Sequence, residues 1–469
     1  MTSVQNEPKV AMTSVQNEPK VVEAVDTSKV PHRVENELLI PTARYHDQEF
    51  FEAEKNLWKH AWQHACHETE IPKPGDFTEY TILDQSIMVI RQKDGSVKAF
   101  HNACRHRGTA IACGSGTFRA DQVVCPFHGW RWNLEGKNTY IYAKDAFREE
   151  TVRAEDVDLA EVQVALRWGF VWINLDPKAI PFEEWIGGIA GPLDGNGFEK
   201  AHITWWHQIE FEANWKIAQE AFFEAYHVMQ AHPEMAGFLR DEDFNALAFA
   251  HYSTDPQGHG WTDSRAPRIL QLPGQEDRLF ADPEKMTPAV KFYMSAKVMW
   301  EGSQSQTNAH YIAILEDLLE ITDANEFFGE FFKRAYIDAA MRGVELTPMH
   351  PDTTGHWAMF PNFTGVAMLG CGLVYRARPH PTDPNKCIYD FFALEIPPTG
   401  TPVKKPQIGA DDAPTWDELW FVQQDASNIE RMQTGIRSSD LKHVRLGVDV
   451  ERLIVNWHQA LDRELAKYL

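Results

Sequence analysis

The chain has 469 residues, 43% of them hydrophobic, and carries 45 Lys and Arg against 68 Asp and Glu, a formal charge of −23. This charge repels nucleic-acid phosphates and anionic lipid headgroups, which excludes nucleic acid and membrane surfaces as partners. The sequence contains neither an apolar run of about 18 residues nor a signal peptide, and this predicts a cytoplasmic protein. Six cysteines are too few for a secreted disulfide framework.

The first 40 residues are predicted to form a disordered tail. The segment MTSVQNEPKV occurs at positions 1–10 and again at 12–21, and we interpret the repeat as a duplication from cloning or from start-site choice. Residues 41–62 follow, with Phe50, Phe51, Leu57 and Trp58 near helical spacing. This spacing predicts an amphipathic helix, which we expect to pack on the larger C-terminal domain.

Residues 63–180 are predicted to form a small all-β domain. Short strand-like runs are separated by turn signals such as Asp94-Gly95, a pattern typical of antiparallel hairpins. The segment WQHACHETE at its start contains His64, Cys66 and His67. We assign these three residues to a first strand with alternating faces rather than to a metal site.

Residues 181–469 are predicted to combine helices with an antiparallel sheet, so that the fold class of the whole chain is α+β. Helices are expected at 214–230 and 323–343. The runs GVAMLGCGLVYRARPH and CIYDFFALEIPP, joined by the turn-rich PTDPNK, predict a hairpin. Thr415 and Glu418 have the spacing of a capping box at the start of a further helix.

Two loops in the β domain each offer one thiolate and one imidazole. The pattern is C-x-H-x18-C-x-x-H, formed by Cys104, His106, Cys125 and His128. Zinc fingers usually keep their cysteines together, whereas a Rieske [2Fe-2S] centre binds one iron through two cysteines and the other through two histidines. The pattern favours a Rieske cluster, with a structural zinc knuckle as the alternative. Cys113, between the loops, is interpreted as a small buried hydrophobe.

A Rieske cluster alone only moves electrons, so a chain that also oxidises a substrate must contain a second metal site. The sequence offers one candidate. His227 and His232 form an H-x4-H pair, and five positions on an ideal helix turn two side chains about 140° apart. Both can reach one ion only if the helix distorts or ends between them, and Pro233 disfavours helical geometry at His232. Two histidines and a carboxylate on one face would leave open positions for oxygen.

The third ligand is expected to be an acid from far along the chain. Asp425 lies in the apolar stripe of the capped helix, between Val422 and Ile429. A carboxylate there is costly to desolvate unless it meets a cation. The alternative is a helix acid that reaches solvent.

Several of these segments resemble a known enzyme family. CRHRG, CPFHGWRW and QDASNIERMQTG are similar to segments of the Rieske non-haem iron oxygenases, in particular the aromatic-ring-hydroxylating dioxygenase large (α) subunits. The resemblance implies a Rieske domain at 63–180 and a catalytic domain of the helix-grip type at 181–469. It also implies that His227, His232 and Asp425 bind a mononuclear Fe(II). Residues 240–350 match no family segment, and we expect them to form the wall and lid of a substrate channel.

Glu224 lies three residues before His227, on the same face of the predicted helix, and can accept its ring N–H. In the family, an acid at this position connects an iron-binding histidine to a Rieske histidine of the neighbouring subunit. The resemblance therefore implies a catalytic role for Glu224, as a bridge from His227 to His128 of the partner subunit. Candidates for lining the substrate pocket, with plain core packing as the alternative, are Phe222, Phe223 and Met229.

The resemblance implies that the chain is the terminal oxygenase of a multicomponent system. Such a system uses O2 as cosubstrate and takes electrons from NAD(P)H through a separate reductase or ferredoxin. The expected reaction is hydroxylation or dihydroxylation of an aromatic substrate. The alternatives are oxidative demethylation and oxidation of a quaternary ammonium compound or methylated amine. A homotrimer of α subunits is implied, with a separate β subunit left open.

The rival from a different class is a non-enzymatic electron-transfer or zinc-binding protein. Loss of His227, His232 or Asp425 would mark such a protein, and all three residues are present.

Overall fold

The computed structural model describes residues 25–238, 250–263, 286–350 and 352–469. Residues 1–24 of the predicted tail, and parts of the segment 240–350, therefore lie outside the described residues. Residues 25–40 were assigned to the tail, but they contain the buried Val30 and the strand β1, Leu39–Pro41. This strand pairs antiparallel with residues 443–445 near the other end of the chain, which explains why it is ordered.

The predicted N-terminal helix is α1, Gln48–His60. The Asp47 side chain caps it by accepting a 2.9 Å hydrogen bond from the Phe50 N–H. Its apolar side chains at Phe50, Phe51, Leu57 and Trp58 are all buried. The helix packs against the helix at Arg452–Ala466, so the first and last helices of the described chain lie together.

An antiparallel sheet with the order β2-β11-β10-β5-β4-β3-β6 forms the first domain, together with a small sheet of β7-β8-β9 and the short helix α2, Ala154–Val157. The strands are β2 Gln63–His67, β3 Asp76–Ile82, β4 Gln85–Arg91, β5 Val97–His101, β6 Ser115–Thr117, β7 Gln122–Val124, β8 Arg131–Asn133, β9 Asn138–Tyr140, β10 Glu161–Arg167 and β11 Phe170–Asn174. Along β4, Ile87 and Val89 face the main core, whereas Met88 and Ile90 face the small sheet. The predicted all-β domain is confirmed.

Strand β2 differs from the prediction of alternating faces, because all five of its residues are buried. The His64 ring lies against the rings of Phe170 and Phe363, at centroid distances of 5.1 and 4.8 Å. Phe363 belongs to the C-terminal domain, so β2 is covered by the second domain on the side that would otherwise face solvent.

The second domain is built around an antiparallel sheet with the order β12-β18-β17-β16-β15-β14-β13. Its elements are α3 Phe182–Trp185, α4 Ala190–Asp194, β12 His202–Phe211, α5 Trp215–Glu220, α6 Val228–Ala231, α7 Pro233–Ala236, β13 Tyr252–Thr254, β14 Gly260–Thr262, α8 Pro288–Ser303, α9 Ala309–Glu316, α10 Ala324–Met341, β15 His356–Met359, β16 Phe363–Met368, β17 Cys371–Pro379, β18 Cys387–Glu395, α11 Trp420–Ile436, β19 His443–Arg445 and α12 Arg452–Ala466. Helix α5 lies on β17 and β18, and α11 lies beside α5. This arrangement confirms the α+β class with helices against an antiparallel sheet.

The predicted hairpin is formed by β17 and β18, which pair along their full length. The first of the two predicted runs, GVAMLGCGLVYRARPH, contains parts of two strands, β16 and β17, rather than one strand. Leu369 and Gly370 turn the chain between them with φ of 46° and 77°. The predicted capping box is present, with Thr415 capping a short 3-10 turn that leads into α11. In the described parts of the chain, the helices lack the combination of length and apolar character that crossing a bilayer requires.

Candidate metal centres

The two Cys/His loops have the same backbone construction. The N–H of Gly108 donates to the carbonyl of Cys104 at 2.9 Å, and the N–H of Gly129 donates to the carbonyl of Cys125 at 3.1 Å. Both glycines have positive φ, 77° and 68°, which a residue with a Cβ rarely adopts. Each loop therefore folds tightly around its cysteine and presents a histidine beside it.

The loops bring thiol next to thiol and imidazole next to imidazole. The Nδ1 atoms of His106 and His128 are 3.2 Å apart, and the buried thiols of Cys104 and Cys125 contact each other. Burial, followed by contact with Cys125, raises the pKa of the Cys104 thiol to about 11. Thiolate binding to a metal would therefore displace a proton that the thiol otherwise keeps at neutral pH.

The four side chains do not converge on a single point. Among the described residues, no three of these four side chains bring ligand atoms within 4.8 Å of one another. A tetrahedral zinc ion needs all four donors around one centre, whereas a [2Fe-2S] cluster takes sulfur donors at one end and nitrogen donors at the other. The geometry fits the cluster and disfavours the zinc alternative.

Aromatic side chains surround this centre unevenly. The Trp130 ring is buried and stacks on His106, at 5.0 Å and 9°. Phe127 lies 3.9 Å from the His128 ring but is 60% exposed. The expectation that Cys113 is buried is wrong, because the extended chain turns Ala112 inward and leaves Cys113 exposed.

The second site depends on a break in the predicted helix at 214–230. Helix α5 ends at Glu220, and a turn leads to the separate short helices α6 and α7. The Glu224 carboxylate accepts from the backbone N–H of His227 at 3.0 Å, which fixes the start of α6. At its end, His232 has φ −118° and ψ 80°, outside helical geometry, and Pro233 begins α7. His227 and His232 therefore flank one short helix.

Both histidines face the same carboxylate oxygen. Oδ1 of Asp425, on α11, lies 3.3 Å from Nε2 of His227 and 3.0 Å from Nε2 of His232. One ligand atom from each of the three residues lies within 4.8 Å of the others. Asp425 and His232 are almost completely removed from water, whereas the His227 side chain is 28% exposed, so solvent reaches the group on the His227 side.

The outer nitrogen of each ring is also engaged. Nδ1 of His227 is 2.7 Å from Oε1 of Glu224, and Nδ1 of His232 is 2.6 Å from Oε1 of Gln424. Since both partners are oxygen acceptors, each Nδ1 carries a proton, and each Nε2, which faces Asp425, is left either to hold a second proton or to bind a metal ion. Without that second proton, the lone pairs of both Nε2 atoms and of the carboxylate converge.

Such convergence of lone pairs demands a positive charge between them. Burial alone lowers the pKa of His227, but hydrogen bonds to Asp425 and Glu224 outweigh burial and raise it to about 10. For Asp425, burial raises the pKa of the carboxyl, but hydrogen bonds from His227 and His232 outweigh it and the pKa is lowered. Two histidines and one carboxylate form the donor set of a facial triad, so the residues fit a divalent iron.

The structure separates the three pocket candidates. Phe223 is fully buried against Trp457 in the main core, as the alternative of plain core packing expected. Phe222 stacks on Tyr375 at 4.1 Å and 21° at the edge of the main core, and burial, followed by the charge of Asp425, raises the pKa of the Tyr375 hydroxyl. Met229 lies on α6 beside His227 and is half-buried.

Sequence reasoning missed two residues around His232. Phe421 stacks on its ring at 3.7 Å and 6°, and Gln424 accepts its Nδ1–H. Both lie on α11, four positions and one position before Asp425. The spacing of Phe421 predicted only an apolar helix face, and a glutamine beside an acid carries no signal of its own.

Comparison with protein families gives two matches along the chain. A model described as "Rieske [2Fe-2S] domain" matches residues 61–153. A second model, "Ring hydroxylating alpha subunit (catalytic domain)", matches residues 198–467, more than half of the chain.

The relatives of this chain include enzymes whose names give different substrates. The chain is 28% identical to the carnitine monooxygenase oxygenase subunit of Acinetobacter baumannii over 246 residues, 47% of this chain and 65% of that protein. It is 31% identical to the methanesulfonate monooxygenase hydroxylase subunit alpha of Methylosulfonomonas methylovora, over 41% of this chain and 50% of that protein. The match to the 2-aminobenzenesulfonate 2,3-dioxygenase subunit alpha of an Alcaligenes species covers 53% of this chain and 63% of that protein, at 28% identity. The chain thus spans between half and just under two thirds of these relatives.

Two solved structures share the fold. The quaternary ammonium Rieske monooxygenase CntA in complex with L-carnitine aligns with a TM-score of 0.60 at 17% identity, over 92% of this chain and 97% of that one. Naphthalene 1,2-dioxygenase from a Rhodococcus species, bound to indole, aligns with a TM-score of 0.61 at 19% identity, over 94% of this chain and 98% of that one.

Proposed function

Because the chain belongs to the family of ring-hydroxylating α subunits, with a Rieske domain ahead of the catalytic domain, we propose that it is the terminal oxygenase of a multicomponent system. It uses O2, and electrons from NAD(P)H that a separate reductase or ferredoxin delivers, to hydroxylate or dihydroxylate an aromatic substrate. The strongest support is the convergence of His227, His232 and Asp425 on one point in a chain that also carries the paired Cys/His loops.

Each centre has its own ligands in this proposal. Residues 63–180 form the Rieske domain and residues 181–469 the catalytic domain, on which residues 41–62 pack. When bound, the cluster supplies single electrons and the ferrous ion supplies open coordination positions for O2. The cluster ligands are Cys104, His106, Cys125 and His128, and the ligands of the mononuclear iron are His227, His232 and Asp425.

Glu224 has two tasks in the proposed enzyme. It accepts the Nδ1–H of His227 and so keeps Nε2 of that ring available to the metal. We also assign to it the bridge towards His128 of the partner subunit, in a homotrimer of α subunits. Phe127, which lies on the second cluster loop beside His128 and is 60% exposed, supports an interface on this side of the domain.

Aromatic side chains next to the triad support the aromatic substrate class. Tyr375 and Phe222 contact each other and form an aromatic wall, and Tyr389 and Phe391 support this wall from the buried core. A flat aromatic substrate can pack against such a wall in an offset-stacked or edge-to-face arrangement. Met229, half-buried on α6, is the proposed side chain on the opposite flank of this pocket.

The second candidate is oxidation of a quaternary ammonium compound or methylated amine, including oxidative demethylation. The carboxylates of the site act on two tyrosines: burial, and then the charge of Asp425, raises the pKa of the Tyr375 hydroxyl, and burial, and then the charge of Glu224, raises the pKa of the Tyr252 hydroxyl. A quaternary cation needs aromatic faces together with an acid. The carnitine monooxygenase subunit among the relatives adds support for this substrate class.

The test combines spectroscopy with product analysis. The purified protein should be red-brown, give a Rieske-type EPR signal after reduction, and contain a third iron per chain. With a surrogate reductase, a panel of aromatics and methylated amines should yield an oxygenated product from one class. A colourless zinc protein, or a reduced protein with all three irons that oxidises neither class, would reject the oxygenase proposal in favour of the non-enzymatic alternatives.

A further inference from the structure

One turn of α11 holds the His232 ring from more than one side. Phe421 stacks on the ring face at 3.7 Å, Asp425 lies 3.0 Å from Nε2, and Gln424 lies 2.6 Å from Nδ1. The ring is 1% exposed. Its plane is therefore set by packing, while Gln424 and Asp425 compete for its single proton.

The orientation of the Gln424 amide is fixed by a further contact. Its Nε2 donates to Oε2 of Glu234 at 2.9 Å, and a carboxylate can only accept. The amide nitrogen must therefore face Glu234 and the carbonyl must face His232. With the carbonyl as its neighbour, Nδ1 of His232 carries the proton, and Nε2 presents a lone pair.

Without this carbonyl, the other tautomer of His232 would be favoured. A proton on Nε2 could then be donated to Asp425 over 3.0 Å, and such a nitrogen cannot bind a metal. His227 is protected from this outcome by the charged Glu224 at 2.7 Å. The partner of His232 is the neutral amide of Gln424. The hydrogen bond from Nδ1 of His232 to this amide therefore depends on Glu234, which keeps the amide carbonyl turned towards the ring.

We propose that Gln424, oriented by Glu234, is a positioning residue that selects the metal-binding tautomer of His232. The inference rests on the proposed function, because it assumes that His232 binds the mononuclear iron. It assigns to the pair Glu234–Gln424, for one histidine, the task that Glu224 performs alone for the other.

The test compares Gln424→Leu with Gln423→Leu. Gln423 is the neighbouring half-buried glutamine on the same helix, but its amide donates to the carbonyl of Trp416 at 2.5 Å, away from the triad. Fe(II) affinity of the mononuclear site is measured anaerobically by equilibrium dialysis on protein with an intact Rieske cluster. Loss of a ligand-orienting hydrogen bond typically weakens metal binding about 10–100-fold, and we expect this for Gln424→Leu but not for Gln423→Leu.

A double variant separates the hydrogen bond from packing. In Gln424→Glu with Glu234→Gln, the two side chains exchange roles: the amide at 234 donates, and the carboxylate at 424 accepts from Nδ1 of His232. We expect this variant to recover most of the affinity that Gln424→Leu loses. The near-infrared magnetic circular dichroism of its Fe(II) should match that of the wild type, because the same three ligands are retained.

Two results would overturn the inference. One is an Fe(II) affinity of Gln424→Leu within about threefold of Gln423→Leu, the scatter expected of a neutral substitution. The other is a double variant as weak as Gln424→Leu, since the loss would then come from packing. If the wild type itself binds no iron at this site, the proposed function fails instead. The Rieske EPR signal of each variant reports that its Rieske domain is folded, and an unchanged far-ultraviolet circular dichroism spectrum reports that its catalytic domain keeps its helices.

Discussion

Glu220 offers a test of the buried network that anchors the catalytic segment. It is the last residue of α5, immediately before the turn that leads to Glu224 and His227. Its Oε2 accepts from the Tyr45 hydroxyl at 2.9 Å, and its Oε1 lies 3.0 Å from Nε2 of His458. Burial raises the pKa of this carboxyl from 4.5 to about 8, although the hydrogen bond from Tyr45 and the charge of Lys216 oppose the rise.

The raised pKa has a definite consequence for stability. Above pH 4.5 the unfolded chain loses the Glu220 proton, while the folded chain keeps it until about pH 8. Between these values the folded state binds more protons, so the free energy of unfolding falls by about 1.4 kcal/mol per pH unit. By pH 7 about 3 kcal/mol has been lost, against about 1 kcal/mol at pH 5.

Glu220→Gln should remove this loss, because glutamine cannot ionise and still offers Tyr45 an acceptor. We expect the variant to be more stable than wild type by up to about 3 kcal/mol at pH 7, which corresponds to about 3 °C in melting temperature for a chain of this length. The melting temperatures of both proteins are measured by scanning calorimetry at pH 5, 7 and 8. Glu49→Gln, at an exposed position on α1, is the matched control. A variant that melts below wild type at pH 7, or whose advantage does not grow with pH, would refute the reasoning.

Three further predictions concern the site and its support. Asp425→Ala should keep the Rieske EPR signal but weaken Fe(II) binding by more than about 100-fold and abolish substrate oxidation; turnover in this variant would remove Asp425 from the site. Glu224→Gln should slow single-turnover product formation by about 10-fold or more, while the reductase still reduces the cluster at the wild-type rate; an unchanged single-turnover rate would contradict the bridge. Lys216→Met leaves Glu54 buried without its 2.7 Å partner and should lower the free energy of unfolding in urea by about 3–5 kcal/mol. Adding Glu54→Leu should recover most of that loss. Equal stability of Lys216→Met and wild type would show that the ion pair is dispensable.

The family and the fold class could be predicted from the sequence because their signals are local. The C-x-H and C-x-x-H loops each need only a few residues to form, and the glycines that close them follow the histidines within two positions. The prediction for Asp425 combines two signals: an acid in an apolar helical stripe is costly to desolvate unless it meets a cation, and the resemblance of QDASNIERMQTG to the family segment implies that this acid is a metal ligand. The role of these residues as ligands stays a prediction, although the structure brings His227, His232 and Asp425 together.

The features that the sequence did not reveal depend on contacts between distant segments. The helix from residue 214 was expected to be continuous because its residues favour helix, but the Glu224 side chain captures the His227 N–H and starts a new helix. Strand β2 is buried on both faces only because the second domain covers it. Gln424 meets His232 across 192 positions, and no pattern within either segment signals that contact.

The link between the two ends of the described chain bears on how the protein is made. The buried ion pair of Arg44 and Asp462 joins residues that are 418 positions apart. All strands of the sheet at residues 63–174 leave the ribosome long before α12 does, so the Rieske domain can close first. Until α12 is synthesised, Arg44 on the nascent chain lacks its ion-pair partner Asp462. The first helix is by then held only by contacts such as the Glu54–Lys216 ion pair, so its docking is completed at the end of biosynthesis, and a polypeptide that stalls before residue 452 would lack the contact between α1 and α12.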